Sequence, residues 1–225
     1  GTAIWLQAQI ARYIPGGVWD VAGRLVLGQE AGVDKRRMSA SVGMEMGLQV
    51  LSAALFLLVA LIIGADAGVR AYLPYVLIII AISLLMLTPP VFSTFVNWGL
   101  RLLRRPPLVL NITYGNMLLL FAMRVFAHFL KGLAYFLFAR GLSPIPWSAA
   151  PLMISAFVGA WLIGYLAIFV PTGIGVREGA LVLLLGPSFP FGLASVSGYG
   201  YRVWIARRDL LGALLGSLMA RGTQL

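Results

Sequence analysis

The chain has 225 residues, of which 60% are hydrophobic and only 11% are charged, with a formal net charge of +10. This composition excludes a soluble globular protein and indicates a multi-pass helical membrane protein, whose excess of cations is typical of cytoplasmic loops and of contact with anionic lipid headgroups rather than nucleic acid. The absence of cysteine and the single histidine exclude disulfides, thiolate nucleophiles and metal sites built from several cysteines or histidines.

The first segment starts without an initiator methionine, inside an apolar stretch. We therefore expect residues 1–225 to form a single transmembrane domain, a fragment that lacks its N-terminal span or spans. The apolar stretch stops at Pro15 and Gly17, and the segment after them is too short to span a membrane and carries Arg24. A similar Pro-x-Gly break occurs at Pro171, and paired breaks in two halves of a transporter point to its binding site. Chance similarity is the alternative explanation.

The first complete helix is predicted at residues 38–63. Its polar residues Ser41, Glu45, Gln49 and Ser52 follow at spacings of four, four and three, which places them on one face. A glutamate in such a span should face the interior of the bundle, either in a functional site or in a structural hydrogen bond between helices. Gly-x-x-x-Gly spacing at residues 43–47 predicts close helix packing.

The second helix is predicted at residues 73–96, with a kink at Pro89-Pro90 near one membrane face. Alternation of the loops places most of the loop cations on one side and Arg70 and Arg140 on the other. The richer side holds Lys35, Arg36, Arg37, Arg101, Arg104 and Arg105. By the positive-inside rule, this richer side is cytoplasmic.

The third helix, predicted at residues 112–139, carries an unusual set of cations. Arg124, His128 and Lys131 follow at i, i+4 and i+7, and Tyr135 comes four residues later, so that all four lie on one face. A single charge in mid-membrane is unfavourable by roughly 3 kcal/mol or more. These side chains should therefore face a compensating anion.

Three anions are candidates for this compensation: Glu45, Glu178 and the phosphate of a bound lipid. The planar fork of arginine suits phosphate oxygens, which favours a role for Arg124 in headgroup binding. Snorkelling of the side chain towards an interface is an alternative for Lys131, and it suits Arg124 less well because that residue lies deep in the helix.

The fourth helix is predicted at residues 147–170 and ends in a break formed by Pro171, Gly173 and Gly175, directly before Arg177-Glu178. Non-helical backbone in a membrane is tolerated only where protein buries it or water reaches it, so the break predicts a cavity or a re-entrant hairpin. Whether residues 176–185 re-enter or cross stays open. A last, more polar helix is predicted at residues 192–220 and carries Arg202.

Catalytic signatures are missing from the sequence, which contains no Walker lysine, HExxH, GxSxG or Asp-x-Asp pair. We therefore expect no catalytic residue, no bound metal and no cofactor, and a protein that is not an enzyme. An integral membrane enzyme that acts on a lipid phosphate, with Glu178 or His128 as its base, is the alternative.

Several short motifs are distributed over residues 12–202. They are Tyr13-Ile14-Pro15-Gly16-Gly17, Gly23-Arg24, Gly32-Val33, Glu45, Pro171-x-Gly173-x-Gly175-Val176-Arg177-Glu178 and Tyr201-Arg202. Together they resemble the lysylphosphatidylglycerol synthase transmembrane region, a flippase-like integral membrane family. The segment from Pro171 to Glu178 is the most specific of them, although Thr172 stands where many members have glycine.

This resemblance implies an all-α, polytopic membrane bundle with re-entrant or broken helices around a central cavity, in the inner (plasma) membrane of a prokaryotic cell. Members are implicated in moving aminoacyl-phosphatidylglycerol or polyprenyl-phosphate-linked sugars between leaflets, or in supporting the enzymes that make them. Arg24, Glu45, Arg177, Glu178 and Arg202 would be the motif positions. Because the chain ends at Leu225 with no aminoacyl-transferase domain after it, we expect no lysyl transfer.

The resulting hypothesis is a lipid translocase or its membrane subunit. The expected partners are anionic phospholipids or polyprenyl-phosphate lipids, a membrane-associated glycosyltransferase or lipid synthase for which the chain could be a scaffold, and other copies of the chain in an oligomer. The headgroup would be bound by the motif residues together with the cationic face of residues 124–131.

Overall fold

The computed structural model describes residues 35–207 apart from 65–66, 87, 103, 105, 108, 110–112, 168–169, 171–172, 187, 191, 193, 202 and 205–206. All regular secondary structure in this part of the chain is helical, as predicted. The helices are α1 (Lys35–Ile63), α2 (Ala67–Arg70), α3 (Leu73–Met86), α4 (Pro89–Leu102), α5 (Tyr114–Leu142), α6 (Ala150–Leu166) and α7 (Val176–Leu185). A 3-10 turn, Trp147–Ala149, precedes α6, and residues 194–201 are again helical.

Three of the described helices are long and apolar enough to cross a membrane. They are α1, α5 and α6 with its leading turn, and the bent pair α3 and α4 would make four if it counts as one span. Large apolar side chains such as Ile78, Leu118 and Phe126 point outwards from α3 and α5, each more than half exposed. An outer surface of this kind is stable in lipid and unfavourable in water, which agrees with a membrane protein.

Helix α6 lies at the centre and packs against α1, α5 and α7. Small residues permit the close approach. A side chain at Gly159 would collide with Leu57 of α1, and one at Gly132 of α5 would lie 2.8 Å from the carbonyl oxygen of Ile154 in α6. A side chain at Gly64 would likewise meet Leu152. The end of α1 and the start of α6 therefore lie at the same end of the bundle.

Most helix boundaries agree with the predicted ones within a few residues, and the main differences lie at the two proline-containing breaks. The kink expected at Pro89-Pro90 is a 90° bend that separates α3 from α4, because proline cannot donate the backbone hydrogen bond that would continue the helix. Helix α6 ends at Leu166, earlier than residue 170. The last helix is helical at residues 194–201, and most of its remaining predicted length lies outside the described residues.

Candidate functional site

The polar face predicted on α5 lies towards α1 and α6, with its middle buried and its first cation and its lysine more exposed. At its first position, Arg124 donates a hydrogen bond through Nη2 to Oε1 of Glu45, which lies on α1. Both side chains are about 30% exposed, so the pair lies at the edge of the helix interface rather than in its centre. Glu45, one of the three candidate anions, is therefore the partner of Arg124, and the alternative of a structural contact between helices describes this geometry as well.

His128 occupies the second position and is the most deeply placed of the three, at 2% exposure. Its ring lies against Phe56 of α1 at a centroid distance of 6.4 Å and against Trp161 of α6 at 5.2 Å. The Nε2 atom is buried and has no hydrogen-bond partner among the described residues. An imidazole nitrogen in such a place normally finds a partner, which can be a water or a polar group of a ligand.

Lys131 occupies the third position and is exposed, and its Nζ lies 5.6 Å from the centroid of the Trp161 ring. Trp161 also stacks on Tyr165, one turn further along α6, at 5.1 Å. An ammonium group over an indole face is held by about 0.5–1 kcal/mol at an exposed site. Lys131 is thus oriented along α6 by an aromatic surface.

Tyr135 continues the same face of α5 and is fully buried. Its ring stacks on Phe157 of α6 at 4.6 Å and meets the edge of Tyr201 at 5.6 Å. Its hydroxyl shares a 2.8 Å hydrogen bond with Ser197, whose own hydroxyl also lies 3.3 Å from the Ala194 carbonyl. This contact fixes the helical residues 194–201 against α5 and α6.

The break predicted at residues 171–175 lies between two helices, since α6 ends at Leu166 and α7 starts at Val176. Gly173 and Gly175 have φ angles of +64° and +83°, which only glycine adopts without strain. A side chain at Gly173 would also lie 2.7 Å from the carbonyl oxygen of Gly164, so the break rests directly on the backbone of α6.

Backbone amides in the break are paired locally. Short turns join the amide of Ala167 to Ile163, that of Val170 to Ala167 and that of Gly173 to Val170, at 3.0–3.2 Å. The amide of Gly175 donates to the Glu178 carboxylate at 2.7 Å. These four amides therefore have hydrogen-bond partners within the protein, as non-helical backbone in a membrane requires.

Arg177 and Glu178 are adjacent in sequence but have different surroundings. Glu178 is 4% exposed, and its bond to the Gly175 amide is one half of a capping box at the start of α7. Arg177 passes close to Gly164, and its guanidinium Cζ lies 4.6 Å from the centroid of the Phe157 ring. Glu178 therefore has a structural role here, whereas Arg177 extends along α6.

One face of α6 connects these groups. Phe157, Trp161 and Gly164 are spaced by four and three residues and so share a face. Arg177 contacts the first and the last of them, while Lys131 lies over Trp161 between them. The cations predicted on α5 and in the break therefore meet the same surface of α6, which the sequence analysis did not identify. The sequence signal for this surface is the spacing of four residues between Phe157, Trp161 and Tyr165.

The remaining predicted site residues, Pro15, Gly17, Arg24, Pro171 and Arg202, lie outside the described residues. The central cavity and the binding of a headgroup stay predictions. Comparison of the chain with protein-family models, with curated proteins and with solved structures gave no match. The resemblance to the lysylphosphatidylglycerol synthase transmembrane region also stays a prediction.

Proposed function

We propose that this chain is a membrane lipid translocase, or the membrane subunit of one, and that the phosphate of its lipid passes along the aromatic face of α6 formed by Phe157, Trp161 and Gly164. The observation that carries the proposal is that Lys131 of α5 and Arg177 of α7 reach this one face from two different helices. Two cations that converge in an apolar protein are suited to an anionic group.

The strength of the existing contacts agrees with a transient ligand. A cation on an aromatic ring gains about 0.5–2 kcal/mol, whereas a hydrogen bond between charged groups gains about 1.5–3 kcal/mol. A phosphate can therefore compete with the Phe157 ring for the guanidinium of Arg177, with two N–H groups of the guanidinium donating to two phosphate oxygens. The ring would hold the cation again when the lipid leaves.

Arg124 has a different part in this proposal. Its charge is compensated by Glu45 across the contact between α1 and α5, so a phosphate would have to compete with this carboxylate. The pair lies about two turns of α5 from Lys131, at the same end of the bundle as the break. We assign it to the entrance of the path, where a headgroup can compete with Glu45 while its tails contact the exposed apolar surface of α5.

The lipid class follows from the resemblance and from the charge. Anionic phospholipid, aminoacyl-phosphatidylglycerol and polyprenyl-phosphate-linked sugar share a phosphate and long apolar tails, which is the chemistry that Arg177 and the outer surface of α5 would bind. The same resemblance supports a prokaryotic inner membrane as the location and a lipid synthase or glycosyltransferase as a partner.

A leaflet-resolved assay tests the proposal. The protein is reconstituted into vesicles with fluorescent phosphatidylglycerol, and the accessible fraction of the fluorophore is followed with a membrane-impermeant quencher. Arg177→Ala should slow the exchange by at least about tenfold, the equivalent of one charge-assisted hydrogen bond. Arg177→Lys should retain part of the rate because the charge is kept without the planar fork.

Arg207→Ala is the matched control, because Arg207 is an exposed arginine that belongs neither to α5 nor to the break. A wild-type exchange rate in Arg177→Ala would contradict the proposal. Loss of folding in that variant, measured by thermal unfolding in detergent, would show that Arg177 is a structural clamp. Chemical change of the lipid, detected by mass spectrometry of the same vesicles, would instead favour the membrane enzyme.

A further inference from the structure

Helix α4 is oriented differently from the helices that could cross a membrane. Its axis makes an angle of 90° with that of α3, and Pro89 and Pro90 form its first turn. The hydroxyls of Ser93 and Thr94 bond back to the Pro90 carbonyl at 2.9 and 2.8 Å, so the turn is closed by its own side chains. If α3 runs across a bilayer, α4 lies parallel to the surface of that bilayer.

The length of α3 agrees with this orientation. Its 14 residues cover about 21 Å, which is short of the roughly 30 Å of a hydrocarbon core. A helix in the interface plane lies about 5–10 Å below the boundary between headgroups and acyl chains. These two depths add up to the thickness of the core, so α3 and an in-plane α4 together account for one crossing.

The side chains of α4 are sorted into separate faces. One face, at spacings of four, three and four, consists of apolar residues that are exposed: Val91, Phe95, Trp98 and Leu102. Phe92 is buried and faces the rest of the protein. A third, polar face contains Ser93, Asn97 and Arg101. A helix with a wide exposed apolar face and a polar face is typical of interfacial helices.

Cations are concentrated at the C-terminal end of α4. Arg101 is in its last turn, and Arg104 follows it, with both side chains exposed. Arg104 has a φ of +53°, in the left-handed region that non-glycine residues rarely adopt, and its amide closes on the Arg101 carbonyl at 2.9 Å. This turn ends the helix with two arginines beside the aromatic pair of Phe95 and Trp98, whose rings stack at 6.2 Å.

We propose that α4 lies in the interface of the bilayer, with its apolar face among the acyl chains and with Arg101 and Arg104 on the phosphates of anionic phospholipids. Trp98 stands at the level that indole rings prefer in membranes. An open groove of about 440 Å³, lined by Pro90, Val91, Thr94, Phe95 and Trp98, gives an acyl chain a place to lie. This site is separate from the path along α6 and does not depend on translocation.

The orientation of α4 can be measured with single cysteines, because the natural chain has none. Spin labels are placed by the substitutions Val91→Cys, Ser93→Cys, Phe95→Cys, Asn97→Cys and Leu102→Cys, and their collisions with oxygen and with a water-soluble nickel chelate are compared in vesicles. Labels at 91, 95 and 102 should be similarly deep, and those at 93 and 97 similarly shallow.

Two results would overturn this orientation. A depth that changes steadily by about 1.5 Å per residue would mean that α4 crosses the membrane. Protection of positions 91, 95 and 102 from both oxygen and nickel would mean that protein, rather than lipid, covers the apolar face.

The preference for anionic lipid needs a reporter at the same place. A fluorophore on Leu102→Cys is quenched by brominated phosphatidylglycerol or by brominated phosphatidylcholine in vesicles that contain equal parts of both lipids. Quenching by brominated phosphatidylglycerol should dominate. The ratio of quenching by phosphatidylglycerol to quenching by phosphatidylcholine should fall about fivefold for each of Arg101→Gln and Arg104→Gln, which corresponds to about 1 kcal/mol per cation.

The control for this measurement is Arg70→Gln. Arg70 is an exposed arginine of α2, which precedes α3, whereas α4 follows α3 at its other end. This substitution should leave the preference at position 102 unchanged. Equal quenching by both lipids in the protein with all its arginines, or a loss of preference in Arg70→Gln as large as in Arg101→Gln, would overturn the proposed phosphate contacts.

Discussion

Helices α5 and α6 are consecutive in the chain and both apolar enough to cross a membrane, yet they have opposite surroundings. In the most apolar 18-residue stretch of each helix, 17% of the residues of α5 and 61% of those of α6 are buried. Helix α5 turns an apolar face outwards and carries Arg124, His128 and Lys131 on the side that contacts α1 and α6. Helix α6 has no charged residue and is enclosed by three helices.

The contrast shows how cations are accommodated in an apolar bundle. Arg124 is neutralised by a carboxylate on α1, and Lys131 and Arg177 lie over aromatic rings of the uncharged helix α6. Helix α6 therefore provides the surface on which its neighbours' charges are arranged, although it has none itself. This arrangement of charges is the reverse of that in a soluble protein, in which the charged side of a helix faces outwards.

The largest expected effect comes from disturbing the contact between the break and α6. Gly173→Ala combines about 1–2 kcal/mol for a left-handed backbone with a clash against the Gly164 carbonyl that adds roughly 1–3 kcal/mol. Gly175→Ala shares the positive φ but meets no atom within 4 Å. Unfolding in detergent should therefore show a greater loss of stability for Gly173→Ala, and equal losses would mean that the break does not rest on α6.

The next effect compares one aromatic ring from each helix. Phe157→Leu on α6 removes the ring that contacts Tyr135, Tyr201 and Arg177, which should lower stability by about 2 kcal/mol. Phe126→Leu makes the same change on the outer face of α5, where the ring is 61% exposed, and should change stability by less than about 0.5 kcal/mol. Similar values for the two variants would remove the distinction between the helices.

The smallest effect concerns the ion pair of α1 and α5. Glu45→Gln leaves Arg124 without its carboxylate and should cost about 1–2 kcal/mol, less than for a fully buried pair because both side chains are partly exposed. The double variant Glu45→Gln with Arg124→Gln should recover most of this loss. A double-mutant cycle measures the coupling, and a coupling near zero would assign the pair to the surface rather than to the helix contact.

Sequence periodicity predicted most of the described fold. The apolar lengths of α1, α5 and α6 and the proline and glycine break all follow from local physics, and a 3.6-residue period was enough to place Arg124, His128 and Lys131 on one face. Pairing of Glu45 with Arg124 was among the options because few anions are present. Which option applies depends on how α1 and α5 are aligned, and that is decided by packing.

The glycine contacts were harder to predict. The spacing at Gly43 and Gly47 suggested a helix contact, but a Cβ atom placed on either glycine would meet no other helix within 4 Å among the described residues. Close contacts occur instead at the single glycines 132, 159 and 164, where no motif marks them. A glycine allows close approach from any direction, so only the arrangement of neighbouring helices determines which glycine is used. The aromatic face of α6 was missed for the same reason.

The local pairing of amides 167, 170, 173 and 175 has a consequence for how this part of the chain enters a bilayer. A peptide group that keeps its hydrogen bond on leaving water avoids the several kcal/mol that an unpaired one would cost in hydrocarbon. The free energy of these four amides therefore depends little on how deeply the turn lies in the bilayer. The neighbouring guanidinium is then the group whose hydration resists immersion, and a bound phosphate that shields it would let the whole turn sink further from the surface.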